Sequence, residues 1–445
     1  MRILFILASD LIYKKSSFFT LNNGFAPLTL TVLAACVPEK YHPYIEIIDE
    51  GMQKVNYDKK ADFDIVSISC CASSSNRAFF LSEYWKKRGA YTVIGGVHAT
   101  LYPEDVKKHC DTIMLGYGED YYARFIDDFA NGTPAPRYES HDCQGFLSAP
   151  RARRDLVKHI PYYFKNTMVA NRGCSNKCRF CSISQFNKHQ RGVRRPVGEV
   201  IQEIKDENFK KVCFLDPSLT SDMEYAKELL TALVPLKIKY YIDMTINSAQ
   251  NDEFMDLLEK SGCYEILCGF ESFNSHNLED ANKKFNLINK YKEYVRKFHS
   301  KNVSILGTFV AGMPFDTKES ILEMPDLIQE IQVDLPKYSI FTPFPGTEPF
   351  EIAQKQKTLL TMNFDYYDLM HVVHRSDKIT PYDLQKAFHK IWEKSFTLSY
   401  IAKRCSYVKK NRVDIFLQNL YFRHLSHKIP KYIDYQPIEQ PNCNA

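Results

Sequence analysis

The stretch from Asn171 to Ile183, NRGCSNKCRFCSI, decides how the rest of the chain is interpreted. It carries Cys174, Cys178 and Cys181 in the spacing C-x3-C-x2-C, unlike the four-cysteine run of ferredoxins or the paired C-x2-C units of zinc ribbons. Three thiolates leave one iron of a [4Fe-4S] cube without a protein ligand, as a catalytic zinc ion keeps one position open. The spacing therefore predicts a catalytic cluster with an exogenous ligand. The alternative is three unrelated buried cysteines among the 13 of the chain.

Phe180, directly before the third cysteine, completes a motif that resembles the signature of the radical S-adenosylmethionine (radical SAM) family. The resemblance implies that the three cysteines are cluster ligands with a catalytic role and that Phe180 lies beside the cofactor. It further implies that the open iron binds the amino and carboxylate groups of S-adenosylmethionine (SAM). Reductive cleavage of SAM then yields a 5'-deoxyadenosyl radical.

A second segment that resembles the family is FLDPSLT, residues 214–220. It stands where many family members carry a G-G-E run that holds the methionyl amino group of SAM. Asp216 and Ser218 are therefore candidate SAM contacts. Either residue could also cap the helix that follows.

Three more segments share the resemblance. GFES resembles the family's G-x-E-S, which implies that Glu271 and Ser272 contact the ribose or the methionine end of SAM. GTFVAGMPFDT, which includes Phe309, resembles the segment whose backbone meets adenine. TPFPGTEPF, residues 342–350, resembles the run that closes the catalytic barrel, and a substrate contact there is equally compatible with its sequence.

The first third of the chain alternates short apolar runs with helical patterns. Five buried strands in such an alternation predict a parallel sheet covered on both faces, with a ligand site beyond the carboxyl ends of the strands. The predicted strands are Ile3 to Ala8, Tyr44 to Ile48, Asp64 to Ser69, Tyr91 to Gly95 and Thr112 to Leu115.

The loops after the last three of these strands are rich in glycine, which suits either close ligand approach or plain tight turns. The order of residues 25–51, GGVHATLYPE and GYGED resembles the cobalamin-binding domain of class B radical SAM enzymes. No D-x-H-x-x-G motif is present, so the resemblance implies base-off cobalamin. His98 would lie along the corrin edge or be hydrogen-bonded to backbone. The implied cobalamin contacts are Cys70, Cys71, Ser73, Gly95, Gly96, His98, Gly116, Gly118 and Glu119.

Strand and helix patterns alternate again after residue 166, in six units that begin at the cluster motif. The predicted fold class is α/β: an N-terminal doubly wound, Rossmann-like parallel sheet, a partial (β/α)6 radical SAM barrel and a mainly helical C-terminal region. The predicted segments are a cobalamin-binding domain at 1–135, a linker at 136–165, the barrel at 166–350, the helical region at 351–428 and a flexible tail at 429–445.

Composition limits the partners of the chain. A net charge of +5 over 445 residues, without dense basic and aromatic interleaving, argues against a nucleic-acid partner. No apolar run approaches the roughly 20 residues that span a bilayer, and no cleavage site follows the N-terminal run. We therefore expect a cytoplasmic protein in which the cysteines outside the motif are free.

The C-terminal region offers two weaker hypotheses. His371 and His374 have helical spacing, which could bind metal but more often reflects packing. Residues 401–428 carry basic side chains among Tyr, Phe and Leu. That pattern could contact an anionic membrane surface, which would suit a lipid-like substrate, or it could form a packed helix pair with a solvated basic face.

Together these features predict a cobalamin-dependent radical SAM enzyme that abstracts hydrogen from an unactivated carbon and transfers a methyl group from methylcobalamin. It would act on a small-molecule or lipid-like substrate and take electrons from a flavodoxin or ferredoxin. The alternatives are a radical cyclase, a ring-rearranging or C–C bond-forming enzyme, or a redox- or cobalamin-responsive binding protein. A methylthiotransferase is disfavoured because the N-terminal third lacks a second cysteine triad.

Overall fold

The computed structural model describes residues 1–10, 24–186, 192–407 and 411–429. It divides into two compact units. Unit 1 comprises Met1–Met168 and Gln185–Arg195, and unit 2 comprises Val169–Ser184 and Pro196–Ala445. Apart from Ile429, the tail predicted to be flexible lies outside the described residues. The predicted division into five segments stays a prediction.

The first sheet belongs to unit 1 and has six parallel strands in the order β2-β1-β3-β4-β5-β6. Its strands are β1 Arg2–Leu7, β2 Tyr44–Asp49, β3 Ile65–Ser69, β4 Tyr91–Gly95, β5 Thr112–Gly116 and β6 Arg137–Ser140. The helices are α1 Leu28–Ala35, α2 Ser75–Lys87, α3 Val97–Leu101, α4 Pro103–Val106, α5 Tyr122–Ala130 and α6 Gly145–Ser148.

Strand β1 shows why both faces of this sheet are covered. Its side chains alternate between two hydrophobic cores, with Ile3 and Phe5 in one and Leu4 and Ile6 in the other. A strand buried on both sides is expected where helices pack on each face of a parallel sheet. The predicted doubly wound sheet is confirmed.

The sixth strand lies in the segment predicted to be a linker. β6 pairs with β5, and its Tyr138 is buried and donates a hydrogen bond to Asp128 at 2.6 Å. The sequence RYES contains a single apolar side chain, so no apolar run indicated a strand there.

The second sheet also has six strands, in the order β14-β13-β12-β11-β10-β7, so its first and last strands remain unpaired with each other. Its strands are β7 Thr167–Met168, β10 Lys211–Phe214, β11 Lys239–Met244, β12 Cys263–Glu271, β13 Ser304–Ala311 and β14 Leu335–Ile340. The short strands β8 Asn171–Arg172 and β9 Val193–Arg194 are not part of this sheet. Strands β10 to β14 pair in parallel, as predicted for a partial barrel.

Helices follow most strands of the second sheet. They are α7 Ser182–Phe186, α8 Val197–Asp206, α9 Met223–Leu233, α10 Asp252–Ser261, α11 Ser275–Asp280, α12 Tyr291–Ser300, α13 Lys318–Ile331, α14 Glu348–Lys355, α15 Pro381–Ser395, α16 Leu398–Arg404 and α17 Arg412–Ser426. Helix α10 shows the local logic: Asn251 accepts from the Phe254 N–H at 2.9 Å to cap its start, and Gly262, with a φ of 97°, ends it.

The C-terminal region is helical, as predicted. Helix α17 approaches the second sheet, where the Gln418 side chain donates to Glu265 at 2.8 Å and Asn419 donates to the Asp334 carbonyl at 3.1 Å. Within the described ranges, no helix combines the length and apolar character needed to cross a bilayer.

Candidate active site

The three motif cysteines lie on one loop that begins after β8. Gly173, with a φ of 91°, turns the chain into this loop, and the Cys181 N–H donates to the Cys178 carbonyl at 3.2 Å. All three thiols are free; Cys178 is buried, whereas Cys174 and Cys181 are partly exposed. The loop therefore presents three thiols without disulfide partners, and it follows β7, an edge strand of the second sheet, by way of β8. Catalytic groups of such folds are found on loops after the strands.

Burial favours the protonated form of two of these thiols, Cys174 and Cys178. It raises the pKa of Cys178 to about 12 and also raises the pKa of Cys174, while the nearby ammonium of Lys283 acts in the opposite direction. Thiolate ligation must therefore displace protons. No three His, Cys, Asp or Glu side chains in the described ranges are arranged to hold a single metal ion. A cube binds each cysteine at a different iron, so this criterion applies to a mononuclear site and not to a cluster.

Arg179 anchors the cysteine loop. Its guanidinium donates two hydrogen bonds of 2.8 Å to the Glu348 carboxylate and one of 2.7 Å to Asp280. The side chain of Asn282 donates to the Lys177 carbonyl at 2.9 Å. A bidentate guanidinium–carboxylate pair fixes direction as well as distance, so the loop is tied to the segments after β12 and β14.

Phe180 contributes to the same anchoring. Its partly buried ring packs against a small apolar cluster made of Ala281, Val310, Met313 and Phe341. These residues follow or end strands β12, β13 and β14, so Phe180 ties the loop to several strands of the barrel. The predicted cofactor contact of this ring stays a prediction.

Glu271 forms a buried ion pair that the sequence did not predict. Its Oε1 lies 2.7 Å from Lys283 Nζ, and Lys283 also donates to the Gly269 carbonyl at 3.2 Å. Glu271 has a φ of 64°, in the left-handed region that non-glycine residues seldom adopt. This strain sits where β12 and β13 shift register, and strain of this kind is often found at functional sites.

Gly269 makes room for that ion pair. A Cβ atom at this position would overlap the Glu271 carboxylate and lie 2.7 Å from Lys283 Nζ. The glycine of GFES thus leaves room for the close approach of two charged side chains.

Ser272 belongs to a second polar network. The Asn277 side chain donates to Ser272 Oγ at 3.2 Å and to Asp316 at 2.6 Å, and Asp316 accepts from the Gly312 and Met313 N–H groups at 3.0 Å each. Burial raises the pKa of Asp316 to about 6. The network connects the GFES segment with the GMPFD segment that follows β13.

Asp216 and Ser218 have different surroundings. Asp216 is fully buried and accepts from the backbone N–H groups of Ala170 and Asn171, which brace the start of the cysteine loop. Ser218 is buried too, but its Oγ has no hydrogen-bond partner within the described residues. Ser218 is the N-cap residue of the short 3-10 helix Leu219–Ser221, but its side chain makes no capping hydrogen bond. The cap of helix α9 is Asp222, which accepts from the Tyr225 N–H at 3.0 Å, so neither Asp216 nor Ser218 caps α9.

Phe309 lies inside an aromatic stack. Its ring stacks on Phe270 and Phe273 with centroids 5.2 and 5.6 Å apart, and its side chain is fully buried. The contact with adenine that the resemblance implied for this segment stays a prediction.

The candidate cobalamin loops lie at the carboxyl edge of the first sheet. Because β1 pairs with both β2 and β3, the order in which strands are added to the parallel sheet reverses there. Such topological switch points form ligand crevices. Ser73 Oγ donates to Asp10 across this point at 3.5 Å. Cys71 is exposed, whereas Cys70 is buried with its thiol 3.8 Å from the Gly95 carbonyl.

The glycines of these loops serve different needs. Gly96 and Gly116 have φ values of 101° and 76°, and a Cβ atom at either would clash with the carbonyl of Cys70 or Ser140. Gly95, Gly118 and Glu119 lie partly exposed at the same edge. The cobalamin contacts predicted for all of these residues stay predictions.

His98 does not point to solvent. Its side chain is 1% exposed, and its Nε2 lies 3.1 Å from Asp105. The two histidines with helical spacing, His371 and His374, contact nearby residues. His371 Nδ1 is hydrogen-bonded with Asp368 at 2.8 Å, and His374 is buried against the Phe341 ring. The hypothesis of a metal site at His371 and His374 therefore gains no third ligand among the described residues.

Known proteins match this arrangement. The family model of the radical SAM superfamily matches residues 168–328, which run from β7 into α13. Bacteriochlorophyllide d C-8(2)-methyltransferase of Chlorobaculum tepidum is 27% identical over 429 residues, which cover 91% of this chain and 93% of that protein. The C-12(1)-methyltransferase of the same organism is 26% identical over 413 residues, covering 90% and 89%.

A solved structure supports the fold. The radical SAM methyltransferase TsrM from Kitasatospora setae, with tryptophan substrate and a SAM analogue bound, matches with a TM-score of 0.66 at 14% identity. The match covers 96% of this chain and 98% of that one. The predicted fold class is thereby confirmed.

Proposed function

We propose that this chain is a cobalamin-dependent C-methyltransferase of the radical SAM superfamily, class B, and that it acts on a small molecule. The observation that carries the proposal is the loop with three free cysteines beside the buried Glu271–Lys283 pair. Likeness to two methyltransferases over about the whole length of the chain adds support.

The residues present suit the cofactors of this family. Cys174, Cys178 and Cys181 supply the three thiolates of a site-differentiated [4Fe-4S] cluster, and the unpartnered Ser218 hydroxyl offers a buried hydrogen-bonding group near the same edge of the sheet. When bound, the cluster and SAM supply a 5'-deoxyadenosyl radical for hydrogen abstraction, and cobalamin supplies the methyl group.

The protein's own side chains then bind and position these groups. Glu271 and Ser272 hold the ribose or the methionine end of SAM, and Asp216 braces the backbone that leads into the cysteine loop. Arg179 keeps that loop against the barrel.

Cobalamin would occupy the carboxyl edge of the first sheet, near Cys70, Cys71, Ser73 and the loop glycines. His98 is engaged with Asp105 and buried, so the chain offers no ligand from this histidine to the cobalt. That arrangement fits cobalamin held base-off.

Methyl transfer is favoured over the other enzymatic hypotheses because both full-length relatives are methyltransferases. Cyclisation, rearrangement and a binding role without turnover are less favoured than methyl transfer. Electrons would come from a flavodoxin or ferredoxin. Free thiols throughout the described residues suit a reducing, cytoplasmic compartment.

The proposed membrane contact through residues 401–428 has one supporting observation. Helix α17 exposes Val413 and Leu417, which are 71% and 56% accessible, and Leu398 of α16 is 63% accessible. We expect co-sedimentation with phosphatidylglycerol vesicles, weakened by the double variant Val413→Ser/Leu417→Ser. Residues 408–410 of this segment lie outside the described ranges.

Anaerobic reconstitution with iron, sulfide and hydroxocobalamin tests the function. With SAM labelled by deuterium in its methyl group, a reductant and a metabolite extract of the cells that make the protein, we expect 5'-deoxyadenosine and a deuteriomethylated product. Formation of 5'-deoxyadenosine without any labelled product would contradict methyl transfer while leaving radical chemistry intact.

A further inference from the structure

The inner face of the second sheet is partly accessible to solvent. Strands in the middle of a sheet covered by helices are expected to be buried on their outer face, and any exposure must then come from the inner face. Along β11 to β14, partly exposed residues alternate with buried ones. The partly exposed residues are Asp243, Leu267, Gly269, Leu306, Thr308, Lys337 and Ser339. Their alternation indicates an accessible cavity inside the partial barrel.

Strand register places these residues in two neighbouring levels. Asp243 pairs with Leu267, which pairs with Leu306. One step further along the strands, Gly269 pairs with Thr308, which pairs with Lys337. Since register partners in a parallel sheet face the same side, Asp243 and Lys337 flank an apolar surface made by Leu267 and Leu306.

The cavity has a closed end. At the level towards the amino ends of the strands, Tyr241 pairs with Glu265, which pairs with Ser304, and all three are buried. Gln418 of α17 bonds Glu265 there. The cavity therefore opens towards the carboxyl ends of the strands, where Glu271, Lys283 and the cysteine loop lie.

Two charged groups of this cavity are incompletely paired. The Asp243 side chain is hydrogen-bonded with Tyr241, but its Oδ1 is buried without a hydrogen bond. Lys337 interacts with the charge of Asp243 and makes no hydrogen bond or ion pair among the described residues. Leaving a polar group unpaired in a low-dielectric interior is costly, and such groups are usually satisfied by a ligand or water. Burial raises the pKa of Asp243 to about 7 and lowers that of Lys337, although each charge opposes the shift of the other.

We infer that this cavity binds the substrate, that Lys337 binds a carboxylate of that substrate, and that Leu267 and Leu306 contact its apolar body. A carboxylate is favoured over a phosphate because the single ammonium of Lys337 balances one negative charge. An ionised Asp243 repels any anion, and it repels a dianion about twice as strongly as a carboxylate. Asp243 and Thr308 supply the remaining polar contacts. The inference rests on the proposed methyl transfer and names the class of its substrate: apolar carboxylic acids.

SAM also carries a carboxylate, so the test must distinguish binding of the substrate carboxylate from binding of the SAM carboxylate. Reconstituted protein receives methyl-deuterated SAM and the metabolite extract described above, half of it treated to esterify carboxylic acids. We expect the labelled product from the untreated half only. In Lys337→Met, the rate of labelled-product formation from the dilute, untreated extract should fall about 10- to 100-fold. This is the loss expected for one charge-assisted hydrogen bond. Lys337→Arg should recover part of it.

A general structural defect would lower the amount of 5'-deoxyadenosine that is formed in the absence of substrate. This amount should be unchanged in Lys337→Met and in Lys355→Met, a control at an exposed lysine of α14. Equal labelling from the esterified extract, or loss of substrate-free SAM cleavage in Lys337→Met, would overturn the inference. No labelled product from the unaltered protein would contradict methyl transfer itself and remove the premise of this inference.

Discussion

Lys283 Nζ lies 2.7 Å from Glu271 Oε1, and both side chains are about 90% shielded from solvent next to the cysteine loop. The pKa of Lys283 is raised because the nearby Glu271 and the thiols of Cys178 and Cys181 outweigh the opposing effect of burial. A cation held at this position offsets the negative charge of thiolate ligands. The pair therefore connects the GFES segment to the electrostatics of the cluster site.

Removing one member of the Glu271–Lys283 pair should destabilise the folded protein. Lys283→Met leaves Glu271 buried and uncompensated, and we expect a loss of about 3 to 5 kcal/mol in the free energy of unfolding, measured by urea denaturation of the metal-free protein. The double variant Lys283→Met/Glu271→Gln should recover much of that loss. Equal destabilisation of the single and double variants would show that the charge pair is not the cause.

Gly269 provides a test that needs no change of charge. Gly269→Ala places a Cβ against Glu271 and 2.7 Å from Lys283 Nζ, so we expect it to displace the pair and to weaken SAM binding, measured by equilibrium dialysis. The matched control is Gly198→Ala in α8, where a Cβ meets nothing within 4 Å. That control should be neutral or stabilising by up to about 1 kcal/mol, because alanine favours a helix. Equal SAM binding by both variants would refute the packing argument.

Arg179 should matter for the cluster more than for overall stability. Its bonds to Glu348 and Asp280 are partly exposed, so Arg179→Met should cost only about 1 kcal/mol in unfolding free energy. We expect a clear fall in iron and sulfide bound per chain after reconstitution, because the loop loses its anchor. Lys284→Met, which breaks an exposed pair with Glu279, is the control and should retain a full cluster.

The burial of His374 should make the free energy of unfolding depend on pH. Burial lowers its pKa to about 4, so between pH 6.5 and 4 the unfolded chain binds more protons than the folded one. Stability should therefore fall as the pH falls through this window, by up to about 3 kcal/mol from this group. His374→Phe should have a shallower slope in urea unfolding from pH 7.5 to 4.5, whereas the exposed His276→Gln should keep the original slope. Identical slopes for His374→Phe and the unaltered protein would contradict this assignment.

The sequence predicted the local features and missed the long-range ones. The cysteine triad, the GFES segment and the predicted strands are each encoded within a few residues. Lys283 was missed because its pairing depends on α11 returning the chain to the end of β12, 12 residues after Glu271. Arg179 lies inside the motif itself, but its partner Glu348 is 169 residues away.

Two other differences have equally specific causes. The strand β6 was missed because RYES contributes one apolar side chain to the sheet and carries no alternation. Asp222 was overlooked as the cap of α9 because the helix begins later than the polar residues Asp216 and Ser218 suggested. The inner-face position of Lys337 likewise requires strand register, which local sequence does not specify.

The central claim is that three cysteines hold a cluster whose fourth iron binds SAM. The most direct test is the electron paramagnetic resonance spectrum of the reduced, anaerobically reconstituted protein, recorded with and without SAM. We predict a [4Fe-4S] signal that SAM shifts, that disappears in Cys174→Ala, Cys178→Ala and Cys181→Ala, and that accompanies 5'-deoxyadenosine formation. A fully loaded cluster whose spectrum SAM leaves unchanged, with no 5'-deoxyadenosine produced, would contradict the claim.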